Sequence, residues 1–433
     1  MNESWFHPSR RPYRFTVLVI VALVMAGSYF AYDSVGAIED TLMKKMGIGQ
    51  SEIGTMYSMY SWAAIFTLFG AGLLTDYIGA RRSSILFSLL IAIGAVIVAW
   101  APNLWVLYLG RFIFGAGCEA LYVCQNAIIV RWFKGKELAL AFGLALTFAR
   151  LGTLFTFNTE ALIADRWGPI AALYVAAGLC VLSFLVNFLY VGMDRVAEPV
   201  LKLKQEGAGD RIVWSEVWKF SPSFWYLTML CVLFYSAVFP FTALSTNFFH
   251  EKWQLPLTVE NTGGFLGDIF KSFMHMFSTA PGTTSIVIFA SMVFAPFAGG
   301  LIDKIGRRAS LMLVGSVLLI VAHVTMGLTN IAPRWPMMIL GAGFVLVPAA
   351  IWPAVALVVP KERVGTAYGL MAMVQNVGLM LFPWLNGVLR EKSQNYEASM
   401  MMFACLGIAG LVFAYVLLRN DKRSGGVLER AGQ

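Results

Sequence analysis

Charge is scarce in this chain: Asp, Glu, Lys and Arg make up only 13% of its 433 residues, about half the share in a soluble globular domain. A water-facing surface of ordinary extent is therefore excluded. Histidine is rarer still, with four in all, and the five cysteines (Cys118, Cys124, Cys180, Cys231 and Cys405) fall inside apolar runs without paired or ligand-like spacing. They read as packing residues, and no metal site or disulfide is expected. Nucleotide-binding loops, His-rich ligand sets and activated nucleophiles are absent, so neither an enzyme nor a cofactor-dependent protein is expected. The first apolar run, from Phe15, continues for a full span without a small-residue cleavage site, which predicts that it is retained.

Apolar residues fill the space that charge leaves. They are 58% of the chain, mean hydropathy is +0.71, and runs of about 20 residues recur twelve times, each long enough to cross a hydrocarbon core. The predicted spans are 15–34, 55–75, 83–101, 104–130, 137–160, 170–192, 222–247, 283–302, 309–328, 336–359, 365–388 and 398–418. The fold class is thus all-α, a polytopic membrane protein. The net charge of +8 does not point to nucleic acid, because Lys and Arg crowd into alternate loops. Arg10, Arg11 and Arg14, then Arg81 and Arg82, Arg131 to Lys136, Arg195 to Lys219, Lys304 to Arg308, Lys361 and Arg363, and the tail from Arg419 all fall on one side. By the positive-inside rule that side is cytosolic, and both termini lie there.

The two halves repeat. Asp76 and Asp303 occupy matching turns, Gly115-Ala-Gly117 returns as Gly341-Ala-Gly343, and Ala141-Phe-Gly-Leu144 returns as Ala367-Tyr-Gly-Leu370. Six helices per half is an even number, so the halves share one orientation and are related by an axis along the membrane normal. The expected domains are an N-terminal bundle (1–193), a cytosolic linker (194–220) and a C-terminal bundle (221–433). An insertion at about 262–282 has the periodicity of an amphipathic helix lying on the outer surface, or of a lid.

Two charges fall near the middle of the hydrocarbon. Glu119 precedes Arg131 by twelve residues and Arg150 follows Glu137 by thirteen, which places each ~18–20 Å from the basic elbow, near mid-depth. A charge there costs about 2.5–3.5 kcal/mol, and it persists where it meets an opposite charge, water or a ligand. At the equivalent positions the second half carries Val345 and Asn376, so the fold does not require either charge. A substrate site is the functional reading, and a structural ion pair between the two helices is the alternative. Tyr57, Tyr60, Tyr235, Trp352, Gln375 and Asn376 are further candidates for the cleft wall, with Tyr29, Trp62 and Phe239. Arg111 could extend the polar site or bond to backbone, Asp33 reads as an exposed helix cap, and His323 as a packed histidine.

Asp76-x-x-Gly79-x-Arg81-Arg82 and Asp303-x-x-Gly306-Arg307-Arg308 resemble the cytosolic-loop gating motif of the major facilitator superfamily, and Arg111-x-x-x-Gly115-x-Gly117 resembles its fourth-helix motif. The resemblance covers nearly the whole chain. GAGCEAL, FARLG, FYSAVFPF and IWPAVALVVPKERVGTAYGL are similar to the lysosomal dipeptide uniporter branch and its bacterial relatives. That resemblance implies a dipeptide carrier in which Glu119 and Arg150 hold the two peptide ends. It implies a monomer embedded in lipid, with a small peptide as substrate and no nucleic acid; an accessory subunit is left undefined. The N-terminus lacks a dileucine sorting signal, so a bacterial inner membrane is expected ahead of a lysosomal one. The competing readings are a proton-coupled symporter of organic anions and a membrane receptor that transports nothing. Ionisable residues are missing from the first helix between Phe15 and Ala31, which disfavours proton coupling.

Overall fold

The computed structural model describes residues 7–133, 136–201, 220–260, 264–360 and 363–430, and no strand occurs among them. The first half contains α1 (Arg11–Ala37), the short α2 (Glu39–Met46), α3 (Gln50–Ile78), α4 (Ala80–Trp100), α5 (Leu104–Phe133), α6 (Leu138–Trp167) and α7 (Pro169–Leu201). The second contains α8 (Pro222–Ala243), the short α9 (Ser245–Trp253) and α10 (Phe265–Met274), then α11 (Ala280–Ile305), α12 (Arg308–Leu328), α13 (Arg334–Val358), α14 (Val364–Ser393) and α15 (Glu397–Arg423). Twelve of these are long, matching the twelve predicted spans. Ten have the length and composition to cross a membrane alone, α3 qualifies as a bent span, and α11 contributes the apolar segment Ala280–Ala295. Helices suit this solvent because they satisfy their own backbone groups where lipid cannot.

Local chemistry sets the ends. Ser221 and Thr279 cap α8 and α11 with their side-chain oxygens, and each is followed by a proline in the first turn, which has no N–H to leave unpaired. Gly79 (φ +84°) and Gly306 (φ +70°) take the left-handed turns of the repeated loop motif, a conformation that costs glycine little. The apolar core forms two clusters, one in each half, the first also taking in Ala243 and Leu244 from the second half.

The end bearing both termini is the basic face. There Asp194, fully buried, accepts from Arg131 at 3.1 Å and from the Trp132 indole at 3.0 Å, with Arg81 at 3.5 Å. Glu198 pairs with Arg81 at 2.6 Å and with Arg131 at 3.6 Å. These contacts hold the chain helical past residue 193. The linker therefore does not begin at Asp194 as expected: α7 runs to Leu201, and residues 202–219 lie outside the described part. Arg14 and Arg11 clasp Glu137 at 2.6 and 3.2 Å in the same way.

The opposite, distal face is where the halves are sealed together. Gln50 donates to the Tyr396 hydroxyl at 3.4 Å, and Glu391 accepts from both the backbone and the hydroxyl of Ser51 at 2.9 Å. Asn158 donates to Ser285 at 3.1 Å. α3 and α14 approach so closely that a Cβ on Gly54 would strike the backbone of Pro383, and one on Gly387 the backbone of Gln50. Small residues at such crossings are how membrane helices gain dispersion contact.

The insertion departs from the expected surface helix. Residues 261–263 are outside the described part, and Ala280 already belongs to α11. Asp268 of α10 pairs with Arg166, Phe265 packs against Trp167 at 5.0 Å, and Phe273 packs against Phe155 at 4.9 Å. Phe155 lies twelve residues before Trp167 on α6, ~18 Å along the helix. α10 therefore descends beside α6 towards mid-depth instead of lying flat. Leu266, Phe270 and Met274, exposed by 81, 69 and 68%, form its outer stripe.

Candidate substrate site

Glu119 on α5 accepts a hydrogen bond from the Tyr60 hydroxyl of α3 at 2.8 Å. Arg150 on α6 lies across the cleft from α13, its guanidinium 4.5 Å from the centre of the Phe344 ring. Among the described residues no ion pair joins Glu119 to Arg150, and Arg150 has no carboxylate partner within 4.0 Å. The Tyr29 and Tyr122 side chains lie within electrostatic reach of both charges, and Asp33 is close to Tyr29 as well. Tyr122 also faces Asn126. The two charges thus face one tyrosine-lined space from adjoining helices of the first half.

The second half supplies rings. Trp352 donates from its indole to the Tyr235 hydroxyl at 3.0 Å, and the Tyr368 hydroxyl donates to the Trp352 carbonyl at 2.9 Å. Tyr235 stacks on Phe239 at 5.6 Å, and both meet Phe344 edge-on. Tyr235 is within electrostatic reach of Arg150, which ties this aromatic wall to the charged one. Gln375 accepts from the Cys231 thiol at 3.3 Å.

Other candidates sit elsewhere. Tyr57 is fully buried, its hydroxyl taken by the Gly36 N–H at 2.9 Å and its ring by Arg111 at 4.9 Å. Asn376 is buried and donates to the Ala372 carbonyl of its own helix at 3.1 Å. Trp62 stacks on Phe66 with its side chain exposed. Arg111 is buried behind the cleft wall, donating to the carbonyls of Met56, Ala31 and Tyr32 at 3.4–3.5 Å within a ring of aromatics. His323 is packed between Phe241 and Phe403, with Nδ1 on the Leu319 carbonyl at 2.9 Å.

Asp33 corrects the expectation of an exposed cap. α1 continues to Ala37, one turn past the predicted end. This puts Asp33 inside the bundle, facing Thr153 and within electrostatic reach of Arg111 and Arg150. Of the loop-motif residues, Arg81 makes the ion pairs described above, while Arg82, Asp76 and Arg307 are exposed and Arg308 is buried. Gly79 and Gly306 make the turns, and the side chain of Asp303 lies outside the described part.

Two six-helix bundles that meet at the distal face, with Arg150 of one against Phe344 of the other, define a membrane carrier of the parallel-repeat type. The chain belongs to the Major Facilitator Superfamily, whose family model matches residues 20–279 and 258–433; it is a membrane transporter and not an enzyme. It is 32% identical to the lysosomal dipeptide transporter MFSD1 of Danio rerio over 97% of this chain and 90% of that protein. Against the human protein of the same name the identity is 32%, over 98% of this chain and 90% of the relative. The multidrug resistance protein Stp of Mycobacterium tuberculosis is 24% identical over 78% of this chain and 68% of its own length. A crystal structure of a mutant of the nucleoside transporter NupG shares the fold at TM-score 0.72 and 14% identity, covering 93% of this chain and 99% of the other. The expected bacterial inner membrane finds no support among the relatives named lysosomal; what stands is an integral, multi-pass membrane protein.

Proposed function

We propose that the chain moves dipeptides across its membrane by alternating access, as a single-chain uniporter, with both termini on the cytosolic side. The observation that carries the reading is the unpaired state of the two mid-membrane charges. Glu119 is held by Tyr60 and Arg150 by the Phe344 face, so each keeps hydrogen-bonding capacity for a ligand. A dipeptide's ammonium and carboxylate complement such a pair, and burying the two ends together cancels the cost that each charge carries alone. The 32% identity to proteins named as dipeptide transporters supports this cargo. The orientation rests on the basic residues gathered at the terminal face.

Glu119 would take the amine and Arg150 the carboxylate, with Tyr29, Tyr122, Tyr235 and Trp352 around the side chains. Rocking of one bundle against the other about this site, with opening of the distal seal, would expose it to each side in turn. The test is reconstitution in liposomes with a panel of dipeptides. Uptake down the peptide gradient, and counterflow, are expected without a proton gradient. Uptake that requires a proton gradient would replace uniport by symport, and uptake confined to non-peptide anions would overturn the cargo.

A further inference from the structure

The distal seal contains two carboxyl groups that the transport site does not use. Glu39 and Asp40 begin α2, immediately after the first span, and both are buried. They close on one residue of the other half, Asn247 of α9. The Asn247 backbone N–H donates to Glu39, its side-chain amide donates to Asp40, and its carbonyl oxygen accepts from the Tyr396 hydroxyl. Gln50 lies on the same cluster, bonded to Tyr396 and facing Glu39. Among the described residues, neither carboxyl has a Lys, Arg or His within 4.0 Å.

Hydrogen is what this cluster is short of. The second oxygens of Glu39 and Asp40 and the side-chain oxygen of Gln50 are all buried acceptors without a donor. Two adjacent carboxylates sealed from water without a cation repel each other and leave acceptors unmet; a proton removes charge and supplies a donor at once. We propose that Glu39 and Asp40 form a proton-binding site of the transport cycle, loaded when the distal face seals and emptied when it opens.

The neighbouring charges leave the conclusion standing. Glu251 adds negative charge near both carboxyls, and its own partner is Arg390, at 2.6 Å. Arg390 in turn lies over the Tyr396 ring. Lys44 and His250 face Asp40 alone, and His250 is held on the Leu255 carbonyl at 2.7 Å. Glu391 and Glu52 are occupied by Ser51 and by the Gly49 N–H. Burial pushes the Glu39 carboxyl well above its ordinary value, with Asp40 adding to it, and burial raises Asp40 too. The sign follows: a group whose value is raised in the sealed state favours that state fully below its ordinary value, and the preference fades as pH climbs through the raised one. Acid on the distal side therefore closes the distal face.

Both proton steps occur at this face, so the proton enters and leaves from the distal solution and none crosses the membrane. Distal acidity thereby biases the carrier towards delivery at the basic face without driving accumulation. This holds for any solute the cleft carries, so it stands apart from the dipeptide assignment.

The experiment places spin labels at Lys45→Cys and Gln394→Cys, exposed positions on opposite sides of the seal, and reads their distance distribution in nanodiscs without substrate. One proton held only by the sealed state changes the sealed-to-open ratio by up to about tenfold per pH unit. From about pH 5 to about pH 8 the wild-type protein should shift towards longer distances, and Glu39→Gln with Asp40→Asn should stay short throughout. His250→Gln should keep the wild-type response, and Tyr396→Phe, which spares both carboxyls, should weaken the seal at every pH. A pH response unchanged in the double variant, or lost in His250→Gln, overturns the assignment, as does a wild type that ignores pH. A shift driven by sodium at fixed pH would make this a metal-ion site instead. Should the double variant not fold, the single variants Glu39→Gln and Asp40→Asn are each expected to reduce the response. Failure of dipeptides to stabilise any of these proteins would count against the cargo and leave the proton result untouched.

Discussion

Replacing Arg150 by glutamine removes the one cation that faces the cleft without a carboxylate partner among the described residues, and the cost should depend on the ligand's own carboxylate. A charge-assisted hydrogen bond contributes about 1.5–3 kcal/mol, which is 10- to 150-fold in affinity. Arg150 already lies over the Phe344 ring at 4.5 Å, so its guanidinium is oriented before the ligand arrives and most of that energy is available for binding. Binding of one dipeptide in free, amidated and acetylated form, measured by calorimetry or thermal shift, isolates each end. Amidation should weaken wild-type binding by the full factor and Arg150→Gln binding by much less. Acetylation should do the same for wild type and Glu119→Gln. Arg150→Lys should bind poorly, because the ammonium keeps the charge but loses the planar fork that matches a carboxylate and stacks on a ring. Equal modification penalties in wild type and variants would mean that these side chains do not touch the peptide ends, and the proposed clamp would fall.

Four further outcomes follow from particular contacts. Tyr60→Phe removes the 2.8 Å bond that orients Glu119 and should weaken binding of a peptide with a free amine about 2- to 12-fold; an acetylated peptide should be insensitive to it. Asp194→Asn removes the nearer of the two carboxylates beside buried Arg131, leaving Glu198 at 3.6 Å, and should lower stability by about 1–3 kcal/mol, read as a fall in melting temperature with the dipeptide dissociation constant unchanged. Gly387→Val places side-chain atoms into the Gln50 backbone and should hold the distal face open, seen as faster labelling of Ser51→Cys from the distal side. Reporters at Leu266, Phe270 and Met274 should be quenched by lipid-borne labels at increasing depth in that order, since α10 descends beside α6; stronger quenching by a water-soluble agent would return the helix to the surface.

The helices and the two mid-membrane charges were legible in the sequence because a charge within twenty apolar residues is conspicuous whatever surrounds it. Facing was less legible. Tyr57 and Tyr60 are three residues apart on one helix, yet Tyr57 turns into the α1 contact and Tyr60 towards Glu119; aromatic periodicity does not distinguish these. Asp33 was hidden by hydropathy, which ends the first span a turn before α1 stops. Tyr122 carried a usable signal, since it lies three residues beyond Glu119 and shares its face. Glu39 and Asp40 carried none. In a loop sequence they are ordinary acids, and it is contact with Asn247, from the other half of the chain, that marks them as part of a buried cluster.

The repeat explains how the cleft divides its work. Glu119 and Tyr60 both belong to the first bundle, and they stay together however the bundles rock. Arg150 also belongs to the first bundle, but the ring beneath it, Phe344, belongs to the second and sits next to Val345, the counterpart of Glu119. The counterpart of Arg150, Asn376, turns its amide onto its own helix. The first bundle therefore brings both charges with tyrosines around them, the second brings Phe344, Tyr235 and Trp352, and the two sets meet at Arg150. In the proposed cycle the amine end of a peptide would rest on a fixed pair. The carboxylate end would rest on a side chain whose support shifts with every change of face. A ligand changes a conformational balance only through contacts that differ between the two states, so the Arg150 end is where substrate binding would couple to the movement of the bundles.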